Sequence, residues 1–189
     1  MQFGMAHSGC SVHDNVIRDV GLENIEVQTR GIQIGTYSGC DVRRNQVLHG
    51  PTIGIFVLNA LDTTVADNLV VDFDDDAIYA NLGSGPAGTT YRFVHNTVAE
   101  FGGQAIRVFG DGLEESVAWN NLVIGDASDI AAGNDVGWTA TGNLAFPSVG
   151  EAGLYGSGDY HLLESSPARG AGTDHAPDGF SLDLEGRAR

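Results

Sequence analysis

Six side chains have the chemistry for proton transfer or cation binding: His49, Asp72, Asp74, Asp75, Asp76 and Glu100. Acid–base cleavage of a glycosidic bond needs two carboxyl groups, one protonated and one ionised. A gap of about 5 Å suits retention and about 6.5–9.5 Å inversion. Asp76 or Glu100 is the expected acid, with Asp72 as base or nucleophile. As neighbouring like charges, Asp72 and Glu100 would raise one of their pKa values. His49 beside Asp72 would serve as an oriented base. Asp74, Asp75 and Asp76 are oxygen donors of the kind Ca2+ takes, although the run has neither the Gly nor the terminal Glu of an EF-hand loop. The competing reading of all six is a solvated polar turn, as it is for Asp111, Glu114 and Glu115 further on.

A second set has the chemistry for binding. Gln33, Phe56, Tyr79 and Arg107 recur at matching places in successive segments. Aromatic rings in a row stack on sugar rings, and an arginine clamps a hydroxyl or a carboxylate. The alternative is that Phe56 and Tyr79 pack under a cover: the insertion 21–29, the glycine-rich loop 82–90 or the C-terminal tail.

Both sets come together only if the chain repeats, and it does. CSVHDNVI, CDVRRNQV, TVADNLV, RFVHNTV, SVAWNNL and TATGNLAF share an apolar residue, two variable residues, Asn, one variable residue and an apolar residue. The anchoring asparagines are Asn15, Asn45, Asn68, Asn96, Asn120 and Asn143. A base period of about 23 residues with occasional insertions is a solenoid signature. Upstream of each Asn runs a short alternating segment, such as Ile32-Gln33-Ile34 or Ile55-Phe56-Val57. Period-2 alternation turns Ile32, Ile34, Ile55, Val57, Ile78, Ala80, Ile106 and Val108 inward and Gln33, Phe56, Tyr79 and Arg107 outward. A third apolar column follows the asparagines: Ile17, Val47, Val70, Val98 and Leu122.

Stacked coils lie about 4.8 Å apart, so residues one period apart become neighbours. The position four after each Asn then forms the column Asp19, His49, Asp72, Glu100 and Ile124. Asn suits the corner itself, because its amide bonds backbone within the turn and in the next coil. His95 shares an exposed slot with Arg44, Asp67 and Trp119, and either Trp119 or Trp138 is placed to cover the core edge. Cys10 and Cys40 each sit in Ser-Gly-Cys, five residues before an Asn, within disulfide reach of each other; two buried free thiols are the expectation. The asparagine motif also resembles a leucine-rich repeat, but the other half-coil reads Gly-Ile-x-Ile and shows no helical period.

Composition narrows the partners. The 189 residues carry 9 basic and 25 acidic side chains, a net charge of −16, and every basic one is Arg. Without a basic stripe this excludes nucleic acid as the expected partner. No apolar run reaches membrane-spanning length, so membrane insertion is not expected, and no signal peptide is evident.

With the repeat in place, the sequence resembles the right-handed parallel β-helix family, the architecture of pectate-lyase-like polysaccharide enzymes and many bacterial surface proteins. The expected fold is all-β: a right-handed single-stranded parallel β-helix of about five to six coils over 1–146, with a capping tail over 147–189. The tail carries the sharper likeness. Asp159-Tyr160-His161-Leu162-Leu163, Ser166-Pro167-Ala168, Ala171-Gly172 and Asp183-x-x-Gly186-x-x-Arg189 resemble the closing segment of bacterial β-helix repeat proteins. Physically the segment reads as a cap, since the apolar Tyr160, Leu162 and Leu163 can cover the last open coil.

The resemblance implies a polysaccharide or oligosaccharide partner, a hydrolase or lyase activity, and an extracellular or cell-surface location. It does not carry over a catalytic set. Lyases of this architecture use Lys or Arg as base; Lys is absent, leaving Arg107 or Arg30. The polygalacturonase pattern is not met, since Asp75-Asp76 and His49-Gly50 occur alone and in the wrong order. A non-catalytic module for assembly or adhesion, a fragment of a larger β-helix, is the rival reading. Met1 aligns with Ile32, inside a strand, so an uncapped first coil and end-to-end homodimerisation are expected.

Overall fold

The computed structural model describes residues 7–21, 29–35, 37–83, 89–113, 115–132, 138–156 and 158–173. The expected first strand at Met1–Gly4 lies outside them. The described chain winds as an all-β parallel solenoid of five turns and part of a sixth. Each turn contributes one strand to each of three sheets. The first sheet stacks His7–His13, Tyr37–Arg43, Thr63–Ala66, Tyr91–Val94, Val117–Trp119 and Thr139–Thr141. The second stacks Val16–Arg18, Gln46–Gly50, Leu69–Phe73, Thr97–Phe101, Leu122–Ile124 and Leu144–Phe146. The third stacks Arg30–Gly35, Ile53–Leu58, Ile78–Gly83, Ile106–Gly110 and Ile130–Ala132. Within the three sheets every pairing is parallel. The single described helix is the short 3-10 turn Ala127–Asp129, so a leucine-rich repeat is excluded.

The core runs down the axis in apolar columns. Ile32, Ile55, Ile78 and Ile106 stack in register, as do Val47, Val70, Val98 and Val123. β-Branched residues dominate because they pack well on a pleated surface at little rotamer cost. Trp138 sets its ring edge-on to Phe93 at 6.3 Å and packs against the core, as one of the two expected tryptophans should.

A ladder of asparagine amides closes the corner between the first and second sheets. Asn15 donates its backbone N–H and its amide to Asn45 Oδ1, and the pattern repeats through Asn68, Asn96, Asn121 and Asn143. From Asn45 onward each amide also donates to a carbonyl of the preceding coil, at 2.8–2.9 Å. The rung member in the fifth coil is Asn121, which corrects the expected Asn120. Asn120 takes the left-handed corner position (φ 55°) beside Asp14, Arg44, Asp67 and His95, the slot assigned from sequence to Trp119. Val123 consequently replaces Leu122 in the inner column, and Ile124 leaves the column of Glu100.

Two further expectations are corrected. Cys10 and Cys40 form a disulfide rather than free thiols, because the parallel register sets them opposite each other with Cα atoms 4.5 Å apart. Tyr160 does not lie over the last coil. The tail folds back as an antiparallel pair, Leu154–Gly156 with Asp159–Leu162, and Tyr160 packs on the cluster of Leu69, Val71 and Ala99, against which Leu48 and Ile124 also pack. These are outward residues of the second sheet. That face is apolar over several coils, so burying a ring along its flank removes more apolar area from water than covering one rim.

Candidate functional site

The outward side of the third sheet gathers the binding set. Register pairs Gln33 with Phe56, Phe56 with Tyr79 and Tyr79 with Arg107, so the four stand in one column. At the start of these strands Gly31 and Gly54 leave no Cβ against the inner Val47 and Val70. A Cβ at Gly54 would meet Val70 Cγ1 at 2.4 Å and the Ala77 carbonyl at 2.6 Å.

Two neighbouring rings each carry a guanidinium. The Phe56 and Tyr79 rings sit 5.3 Å apart, tilted by 35°. The Arg30 guanidinium lies 4.3 Å over Phe56 and the Arg107 guanidinium 5.1 Å from the Tyr79 ring centre. Arg30 also donates to Gln33 Oε1 at 3.0 Å. Phe56 is therefore only 5% exposed although it points outward, and its cover includes the chain's own cation. Tyr79 keeps an open edge. Its hydroxyl accepts from the Asn81 amide at 2.9 Å, and Asn81 Oδ1 accepts the Gly83 N–H.

Asp76 anchors this face from below. It is 2% exposed, takes the Gln104 N–H at 2.8 Å, and stands 3.4 Å from Arg107 Nη1. Burial pushes its carboxyl above the ordinary range, and the nearby Asp75 charge adds to this; the Gln104 N–H and Arg107 pull it back. Burial likewise lowers the Arg30 guanidinium from its ordinary value.

The acid–base set occupies a different place, the corner between the second and third sheets. Asp19, His49, Asp72 and Glu100 all adopt left-handed backbone (φ 53–63°) and stack one per coil. His49 Nδ1 lies 3.0 Å from Asp19 Oδ1 and Nε2 lies 3.6 Å from Asp72 Oδ2. Glu100 accepts the Tyr160 hydroxyl at 3.0 Å. Burial first, then the Glu100 carboxylate, pushes the Tyr160 phenol up to about 12. The structure thus brings His49 to Asp72 and places Asp72 one rung from Glu100. It leaves Asp76 apart from them, on the third-sheet face. Asp74 and Asp75 are exposed while Asp76 is turned into its contacts with Gln104 and Arg107. Among the described residues no three His, Cys, Asp or Glu side chains are grouped to hold a metal ion.

The corner column sets an imidazole between two carboxylates, and the third-sheet face can offer a guanidinium, amides and a ring edge to a polar ligand. Sequence reasoning missed Asn81 and the coupling of Asp76 to Arg107. Asn81 was legible, since it stands two residues past Tyr79 on the same face. The Asp76 contact was not, because it joins a corner residue to a strand residue of the next coil.

Residues 5–145 match the family model described as the right handed beta helix region. No curated protein and no solved structure matches the chain.

Proposed function

The chain belongs to the right-handed β-helix family, and from that premise we propose that it binds carbohydrate on the outer face of its third sheet. The observation that carries the reading is the register column Gln33, Phe56, Tyr79 and Arg107, with Arg107 held by the buried Asp76. A neutral or weakly charged polysaccharide suits a face of amides, one ring edge and one half-exposed guanidinium on a chain of charge −16. The surface repeats along the axis, as a polymer does. Processing of the bound glycan would fall to Asp76 or Glu100 as acid and Asp72 as base or nucleophile, with His49 beside it.

A glycan array tests binding, and assays for reducing ends and for unsaturated products test processing. Binding that Arg107→Ala and Gln33→Ala each weaken about tenfold supports the reading. Retention of full binding by both variants overturns it.

One observation favours the rival, a structural or adhesion module without catalysis: Phe56 and Tyr79 already carry Arg30 and Arg107 against their rings. That module gives no array signal and no product in either assay.

A further inference from the structure

The two ends of the described stack are complementary, and we infer that copies of this chain associate head to tail, the first described coil of one on the last coil of the next. At the first end, the inward Val12 and Ile17 are only half-buried, whereas Val42 and Val47, one coil on, are fully buried. Asn15 is exposed, and its Nδ2 donates to Asn45 Oδ1 and to the carbonyl of His13, two residues before it. Its Oδ1 accepts no hydrogen bond from the described residues, unlike that of every later rung.

The far end shows the converse. Asn143 donates its amide to the Ala118 carbonyl, but among the described residues no further rung receives its backbone N–H. A hollow of about 200 Å³ opens there, lined by Ile130, Ala140, Gly142, Asn143, Leu144 and Ala145. These residues all belong to, or lie between, the last strands of the three sheets.

Continuing the internal register by one coil sets Val12 over Ala140, Asn15 over Asn143 and Ile17 over Ala145. Asn15 Oδ1 then accepts the Asn143 N–H and amide, as Asn143 Oδ1 accepts those of Asn121. The Asn15 amide turns from His13 to the Ala140 carbonyl, the acceptor that the ladder geometry prescribes. The Val16 N–H meets the Asn143 carbonyl, as Leu144 N–H meets that of Asn121. The larger Val12 and Ile17 side chains fill space left by the two alanines. Since the two surfaces differ, the contact is heterologous and repeats along the axis instead of closing on a pair.

Light scattering across a concentration series, with Asn15→Arg, Ala140→Arg and their mixture, decides the matter. Circular dichroism and melting confirm that each variant is folded. The wild type is expected to grow past the dimer mass with concentration. Each variant alone should stay at the protomer mass, and the equimolar mixture should stop at twice that mass, one intact end meeting another. A wild type that remains monomeric throughout overturns the inference without recourse to any variant. So does an Ala140→Arg protein that still dimerises, which would mean a symmetric pairing through the first coil.

Discussion

Asp76 and Asp14 are carboxylates under opposite pressures. Burial raises the Asp76 pKa. A carboxyl raised on folding holds its proton more tightly in the native chain, so its contribution to stability is largest at low pH and falls as pH climbs through the carboxylate range. Asp76→Asn removes that dependence and keeps an acceptor for the Gln104 N–H. In melts from about pH 3 to about pH 7, wild type should gain on Asp76→Asn as pH falls; a constant gap counts against this account. Asp76→Ala orphans the Gln104 N–H and should cost about 1–3 kcal/mol.

Asp14 behaves the other way. Hydrogen bonds first from Arg44, at 2.7 and 2.9 Å, and then from His13 hold its carboxyl well below the usual range. That stability is present above about pH 4 and is lost as pH falls further. Arg44→Gln should therefore lower the melting temperature at neutral pH and make little difference in strong acid. The effect should be small, because the Asp14 side chain is half exposed.

At the scale of the element, the ladder and the disulfide carry separate expectations. Asn121 is buried and makes bonds to the rungs on both sides, whereas Asn120 bonds Thr173 of the tail. Asn121→Ala removes the acceptor of the buried Asn96 N–H and the amide donor to the Phe93 carbonyl, at about 1–3 kcal/mol each, while the Asn96 amide keeps the Val65 carbonyl. Urea titration should place Asn121→Ala well below Asn120→Ala in stability; equal losses would contradict the rung assignment. Cys10→Ser frees a loop spanning 30 residues and should cost about 3–4 kcal/mol, read in the same titration.

The columns were legible because alternation and asparagine spacing encode them directly. The Asn120–Asn121 pair was ambiguous, since either asparagine fits an apolar residue on each side. Only the identity of Val123 as the inward residue settles it. The disulfide was not legible because register brings thiols together without fixing their oxidation. Arg30 over Phe56 escaped as well, because a long side chain reaches across columns that strand parity keeps apart.

For the whole molecule, Tyr160 is the tail residue found on a different surface from the one expected. The tail is pinned at two corners, by Tyr160 on Glu100 and by Thr173 on Asn120. Tyr160→Ala uncovers Leu69, Val71 and Ala99, so it should raise binding of an apolar dye and cost about 2–4 kcal/mol. Tyr160→Phe loses the hydroxyl bond alone, about 1 kcal/mol, with no change in dye signal. An unchanged dye signal in the alanine variant would mean that the flank has another cover.

Successive rungs of the ladder are separated by 30, 23, 28, 25 and 22 residues, yet the bonds between them are the same throughout. Strand lengths vary as well, from three to seven residues, without disturbing the rungs. A gene for such a chain can gain or lose one unit by recombination between its own repeats, and the protein that results differs in height but in no kind of contact. Length is then a heritable quantity that drifts in whole steps, while the surface chemistry of each step is free to diverge from its neighbour's.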